Sequence, residues 1–283
     1  MNGSAGTHLD FLAAMARASH ERVAQARATT PQTELAALVS ALPAAPRLTL
    51  SQRGFDLIAE VKLRSPAAGQ LRAGTEDIVA RVAAYADAGA AAISVLTEPS
   101  RFDGALSHLA QAVCALAGRI PVMRKDFLVD AYQVYEARLA GAGGVLIILR
   151  MLERSQIETL LEAASQLGMF ALLEAFDEED LALAAQLVRE YRERAALLVG
   201  VNCRDLTTLK VVPGRLEALA PLLPRAVPRV AESGVSTAAD AARLAAHGYD
   251  VALVGSALMQ AGEPLALAAT LLEAGRAAAP RRA

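Results

Sequence analysis

Short, nearly continuous apolar runs recur along the chain at Asp56–Val61, Ala91–Leu96, Pro121–Met123, Val145–Leu149, Phe170–Leu173, Leu197–Val201, Arg229–Ala231 and Val251–Val254. Between them the apolar positions take helical spacing, as in Asp77–Ala88, Tyr132–Leu139, Ser155–Leu167 and Ala238–His247. Runs without polar alternation are expected of parallel strands buried on both faces, and a helix after each strand is how such sheets are connected. The eight predicted strand ends lie 23 to 36 residues apart. That regularity predicts an α/β fold, a (β/α)8 barrel over residues 51–275. An open doubly wound sheet is the rival. It usually has fewer strands and a glycine-rich first turn, which Lys62-Leu-Arg-Ser-Pro66 does not supply. Gly141-Ala-Gly-Gly144 follows a helix and precedes a strand, the wrong order for a nucleotide loop, and reads as a helix C-cap.

Residues 1–50 differ. Phe11 to Ala28 and Glu34 to Leu42 show helical periodicity, and Pro31, Pro43 and Pro46 interrupt it. The segment is too short for its own core and reads as a helical extension of the barrel; 276–283 reads as a short tail.

Composition narrows the chemistry. Net charge is −2 over 283 residues, which excludes a polyanion binder working by bulk charge, so nucleic acid is not an expected partner. No apolar run reaches the ~18–20 residues needed to span a bilayer, so no membrane is expected either. Two cysteines, Cys114 and Cys203, do not make a disulfide framework, and a reducing cytoplasm is the expected compartment. Four scattered histidines offer no metal-ligand spacing, so no metal site is expected. One feature points towards a site. Of 28 basic residues only Lys62, Lys125 and Lys210 are lysines, the other 25 being arginines. An amine can donate a proton where a guanidinium cannot, so each retained lysine is a candidate for chemistry.

In a barrel of this kind the reactive groups sit at the C-terminal strand ends. Those ends carry Glu60 and Lys62, Glu98, Lys125, Arg150, Glu174, Asn202 with Arg204, Glu232 with Ser233, and Ser256. Strand parity places Glu60 with Lys62, Asn202 with Arg204, and Lys125 with Phe127 on common sides. Arg124 and Asp126 take the opposite parity and are expected to pair structurally against the helices. Cys203 also points outward and reads as packing. Gly234-Val-Ser-Thr237 and Gly255-Ser-Ala257 follow the last two strands, where small residues let backbone N–H groups meet a phosphate.

Five blocks, Ile58-Ala-Glu-Val-Lys-Leu-Arg-Ser-Pro66, Ile93-Ser-Val-Leu-Thr-Glu98, Arg124-Lys-Asp-Phe127, Val201-Asn-Cys-Arg-Asp-Leu206 and Ala231-Glu-Ser-Gly234, resemble indole-3-glycerol-phosphate synthase of tryptophan biosynthesis. The likeness runs in order from about residue 9 to about residue 272. It implies a TIM barrel whose N-terminal helices lie over the active-site mouth. The implied reaction is cofactor-free: ring closure of 1-(2-carboxyphenylamino)-1-deoxyribulose 5-phosphate with release of carbon dioxide and water. By the resemblance Lys125 is the general acid for the ketone oxygen, with Phe127 shaping its pocket. Glu174 stabilises positive charge at the aniline nitrogen and acts as base in dehydration. Lys62 and Arg204 meet the substrate carboxylate, and Lys62 also takes part in proton transfer. Glu60, Asn202, Glu232 and Ser233 bind sugar hydroxyls and orient the lysines. Ser65, Gly234, Gly255 and Ser256 form the phosphate site, and Leu96 and Phe102 flank the aromatic ring.

The chain departs from the family's habit at Ala67 and Ala105, where serine is usual, at Ala175-Phe176 in place of Val-His, and at Cys203 in place of asparagine. These positions concern the phosphate loop and the pocket rim rather than proton transfer. Other readings are a Schiff-base aldolase acting through Lys125 and a non-catalytic paralogue that binds a phosphorylated ligand. The expected partner is one small phosphorylated molecule, and the expected state a monomer or weak homodimer.

Overall fold

The computed structural model describes residues 5–67, 69–71, 76–206 and 208–280. Eight parallel strands close into a barrel: β1 (Asp56–Val61), β2 (Ala92–Leu96), β3 (Val122–Lys125), β4 (Gly144–Ile148), β5 (Phe170–Ala175), β6 (Leu197–Asn202), β7 (Arg229–Glu232) and β8 (Val251–Val254). β1 pairs with both β2 and β8, which leaves no free edge. Apart from a single helical turn at Pro99–Phe102, the helices are α1 (Ala5–Thr29), α2 (Gln32–Ser40), α3 (Ile78–Asp87), α4 (Leu106–Leu116), α5 (Ala131–Leu139), α6 (Arg154–Gln166), α7 (Glu178–Tyr191), α8 (Arg215–Leu219), α9 (Ala238–Ala246), α10 (Ser256–Gln260) and α11 (Pro264–Ala278). α11 runs past residue 275, and residues 281–283 of the tail read from the sequence lie outside the described residues.

Local chemistry explains the boundaries. The Asp77 carboxylate accepts the Ala80 amide at the start of α3, and Asp130 and Thr237 open α5 and α9 with capping boxes. After α5 the chain turns through Gly141 at φ +90°, the left-handed geometry expected of a C-cap glycine. The turn after β1 forms a two-residue antiparallel hairpin, Arg64–Ser65 against Gly69–Gln70, which the hydrophobic pattern does not announce.

Alternation along each strand separates two cores. Outward residues such as Leu57, Val95, Val145, Leu173 and Val199 pack under the helices. Inward residues Ile58, Ala92, Met123, Leu146, Phe170, Leu172, Leu198, Val230 and Val251 fill the barrel. Leu12 and Met15 of α1 join this inner cluster together with Phe127 and Phe176, so α1 lies across the mouth. Burying each of the larger side chains contributes about 1.5–3 kcal/mol. Val23 of α1 meets Leu35, Val39 and Tyr132 in a smaller cluster that seats α2 against α5.

Candidate active site

The barrel interior is mostly apolar, and five of the eight strands end in a polar or charged inward side chain. Glu60, Lys125, Glu174, Asn202 and Glu232 all stand on this level, at the ends of β1, β3, β5, β6 and β7. The register puts Glu174 beside Gly200 and Asn202 beside Glu232. Two glycines make room. A methyl group on Gly200 would stand 2.2 Å from Glu232 Oε1, and one on Gly255 would stand 2.2 Å from Glu60 Oε1 and 3.0 Å from Lys62 Nζ. Gly255 is therefore a place for the Glu60 carboxylate as well as a candidate phosphate-loop residue.

The ammonium of Lys125 lies 3.1 Å from Glu174 Oε1 and 3.0 Å from Glu232 Oε2. Asn202 Nδ2 donates to Glu174 Oε1 at 3.0 Å, and Asn202 Oδ1 accepts the Arg204 amide and the Ser233 hydroxyl, both at 2.9 Å. Lys62 Nζ pairs with Glu60 Oε1 at 2.8 Å. The three carboxylates are almost wholly buried. Glu60 Oε2 and Glu232 Oε1 are buried with no donor, so each offers an acceptor to an incoming hydroxyl or N–H. Burial by itself would lower Lys125, but Glu174, Glu232 and Glu60 outweigh it and raise its pKa above the ordinary amine value. For Glu232 burial dominates; with the nearby Glu174 it outweighs the Lys125 charge and pushes the carboxyl up to about 8. The site thus holds a protonated ammonium between the carboxyl groups of Glu174 and Glu232.

A cavity of about 320 Å³ opens over this level. All fifteen residues proposed from the sequence line it. Glu60, Lys62, Lys125, Glu174, Asn202, Arg204, Glu232 and Ser233 supply its polar floor, and Leu96, Phe102 and Phe127 an apolar wall. Ser65, Gly234, Gly255 and Ser256 border its other side. The Phe102 and Phe127 rings lie 6.2 Å apart, and Phe11 meets Phe127 edge-on at 5.9 Å. Arg204 donates to the Leu209 carbonyl at 2.7 Å, which holds its guanidinium at the rim.

Two charged strand-end residues are not part of the cavity. Glu98 follows Leu96 by two and should face inward, but the chain bends at Pro99 and its buried carboxylate caps the next turn, accepting from Ser100 and Arg101 amides. Arg150 is carried outward by a tight turn over Leu149–Met151, pairs with Asp177 and Asp180, and lies 4.6 Å from the Phe176 ring centre. Arg124 and Asp126 form a buried pair at 3.1 Å, and Cys203 packs in the outer core, burial pushing its thiol up to about 11. Ala105 stands at the N-cap of α4, so the missing serine is a lost helix cap and not a lost pocket group. The sequence reading missed Phe11, Leu146, Ile148, Leu206 and Leu253 in the lining. Inward parity would have found Leu146, Ile148 and Leu253; Phe11 has no local signal.

A closed parallel barrel whose charged groups gather at the C-terminal mouth is the arrangement of a (β/α)8-barrel enzyme. Within that class the chain belongs to the indole-3-glycerol phosphate synthase family, whose model matches residues 12–271. An indole-3-glycerol phosphate synthase of Kineococcus radiotolerans is 44% identical over 224 residues, 79% of this chain and 78% of that one. The protein of the same name from Mycobacteroides abscessus is 40% identical over 279 residues, 96% of each. Among solved structures, 3-hexulose-6-phosphate synthase from Salmonella typhimurium superposes with a TM-score of 0.61 at 16% identity, over 79% of this chain and 99% of that one. Thiamine phosphate pyrophosphorylase from Pyrococcus furiosus gives 0.58 at 17% identity, over 80% and 98%. At these identities the two share the fold alone.

Proposed function

We propose that this chain closes the pyrrole ring of 1-(2-carboxyphenylamino)-1-deoxyribulose 5-phosphate, releasing carbon dioxide and water to form indole-3-glycerol phosphate. The observation that carries the reading is the Lys125 ammonium, held by two carboxylates beside an apolar wall. As the aromatic carbon attacks the ketone, negative charge grows on the ketone oxygen. Lys125 donates its proton there, and the dry surroundings strengthen that interaction. Glu174 faces the positive charge that develops on the aniline nitrogen. Decarboxylation restores aromaticity, and Arg204 and Lys62 hold the carboxylate until the new bond exists. In the dehydration the new hydroxyl leaves as water with a proton from the Lys62 ammonium, while Glu174 takes the proton released as the pyrrole double bond forms. The unpartnered oxygens of Glu60 and Glu232, with Asn202 and Ser233, receive sugar hydroxyls. Ser65, Gly234, Gly255 and Ser256 receive the phosphate, and Leu96, Phe102 and Phe127 sandwich the aromatic ring.

The proton transfers in this sequence fall to side chains of the site. A Schiff-base aldolase would need a neutral Lys125 amine, which its two carboxylate partners oppose. Borohydride with substrate should therefore leave Lys125 unmodified. The decisive experiment is the rise of indole fluorescence on adding the substrate to purified protein. The chain has no tryptophan, so background is low. Absence of any rise, with phosphorylated ligand still bound, would favour a non-catalytic paralogue. Among the described residues no helix is long and apolar enough to cross a membrane. We place the enzyme in the cytoplasm, independent of nucleic acid, as a monomer or weak homodimer, which sedimentation at micromolar concentration tests.

A further inference from the structure

Asp126 follows Lys125 just past the end of β3; it borders the cavity, but its buried carboxylate is taken up by neighbouring donors. Each carboxylate oxygen accepts two donors. Oδ1 takes the Arg22 guanidinium at 2.8 Å and the Phe127 amide at 2.8 Å; Oδ2 takes the Thr97 hydroxyl at 2.7 Å and Arg124 at 3.1 Å. Arg22 belongs to α1, and its other terminal nitrogen lies 3.7 Å from Glu98 in the loop after β2. One helical turn earlier, the fully buried Ser19 donates its hydroxyl to the Phe127 carbonyl at 2.5 Å and accepts from Gln133 Nε2 at 2.8 Å. Thus α1 reaches both backbone polar groups of Phe127, the carbonyl directly and the amide through Asp126.

Stability alone does not call for this arrangement. α1 already packs through Leu12, Met15 and Val23, and burying charges and hydroxyls carries a desolvation cost that apolar contact avoids. The polar bonds also converge on one residue, two positions after Lys125, whose ring is part of the cavity's apolar wall. A shift of Phe127 would move both that wall and the end of β3.

We propose that Ser19 and Arg22 of α1 are positioning residues for Lys125 and Phe127, holding the end of β3 where the proton must be delivered. The inference rests on Lys125 being the proton donor, but one of its tests does not. In Arg22→Met, kcat should fall about tenfold with KM nearly unchanged, a size within the range that misplacing a catalytic group produces. Arg22→Lys, which keeps a cation for Asp126, should recover part of that loss. Amide hydrogen exchange over residues 125–130 should quicken in Arg22→Met while β5 to β8 keep their protection. Ser19→Ala should reproduce both effects and carries the test if Arg22→Met does not fold. Full kcat in both folded variants would overturn the proposal, and so would lost activity with unchanged exchange over 125–130. A wild-type chain without turnover would instead remove the assigned reaction, and the exchange comparison would still decide whether α1 holds this segment.

Discussion

Lys125 and Asp126 are neighbours at the end of one strand, and they sit in two polar networks of opposite design. Around Asp126 every bond is made: two donors on each oxygen, from α1, β3 and the loop after β2. Around Lys125 the network is incomplete, with Glu60 and Glu232 each keeping a buried oxygen without a donor. A satisfied network specifies a shape, whereas an unsatisfied one is a standing penalty that a ligand relieves. The difference marks which network fixes the end of the strand and which is left open for the substrate.

The contrast can be broken most severely at Lys125. Lys125→Met should lower turnover by roughly 10²-fold or more while the protein stays folded. Lys125→Arg should not restore it, because the guanidinium keeps its proton; an active Arg variant in the fluorescence assay would sink the donor assignment. Asp126→Ala should do the reverse in emphasis, removing the carboxylate that Arg22, Arg124 and Thr97 share and destabilising the chain by about 3–5 kcal/mol in denaturant titrations. A stable Asp126→Ala protein would contradict the structural role.

Glu232 sharpens the comparison through pH. Its folded pKa, about 8, lies above its ordinary value of 4.5, so the native state holds a proton that the unfolded chain releases. That contribution is complete below about pH 4.5 and is lost as pH rises through 8. Glu232→Gln removes the carboxyl, so its Tm should decline less than the wild type between pH 5.5 and 8.5. Each kcal/mol recovered corresponds to about 2–4 °C. Parallel Tm curves would count against the buried carboxyl. Ala105→Ser supplies the missing cap of α4 and should stabilise by about 1 kcal/mol without changing kcat. Lys210 is exposed outside the cavity, and Lys210→Arg should leave both rate and stability within about 0.5 kcal/mol of wild type.

Much of the site was legible from the primary structure because a barrel ties function to strand ends. Parity along β1, β3, β5 and β6 is enough to place Glu60, Lys125, Glu174 and Asn202 together, and the rarity of lysine picks out Lys62 and Lys125. The same rule misplaces Glu98 and Arg150. Each lies two residues beyond an inward position, but a proline turn and a tight helical turn break the alternation before the side chain is reached. Alternation holds only while the backbone stays extended.

The apolar runs determined by themselves eight parallel strands, because burial on both faces leaves a strand no polar option, and their regular spacing with no glycine-rich first turn favoured a closed barrel over an open sheet. Proximity across the chain was decided only by tertiary structure. Phe11 meets Phe127, Arg22 meets Asp126, and Gly200 makes space for Glu232. Local pattern reports which face of an element is buried. Which partner waits there depends on how the closed barrel and its covering helix bring distant segments together.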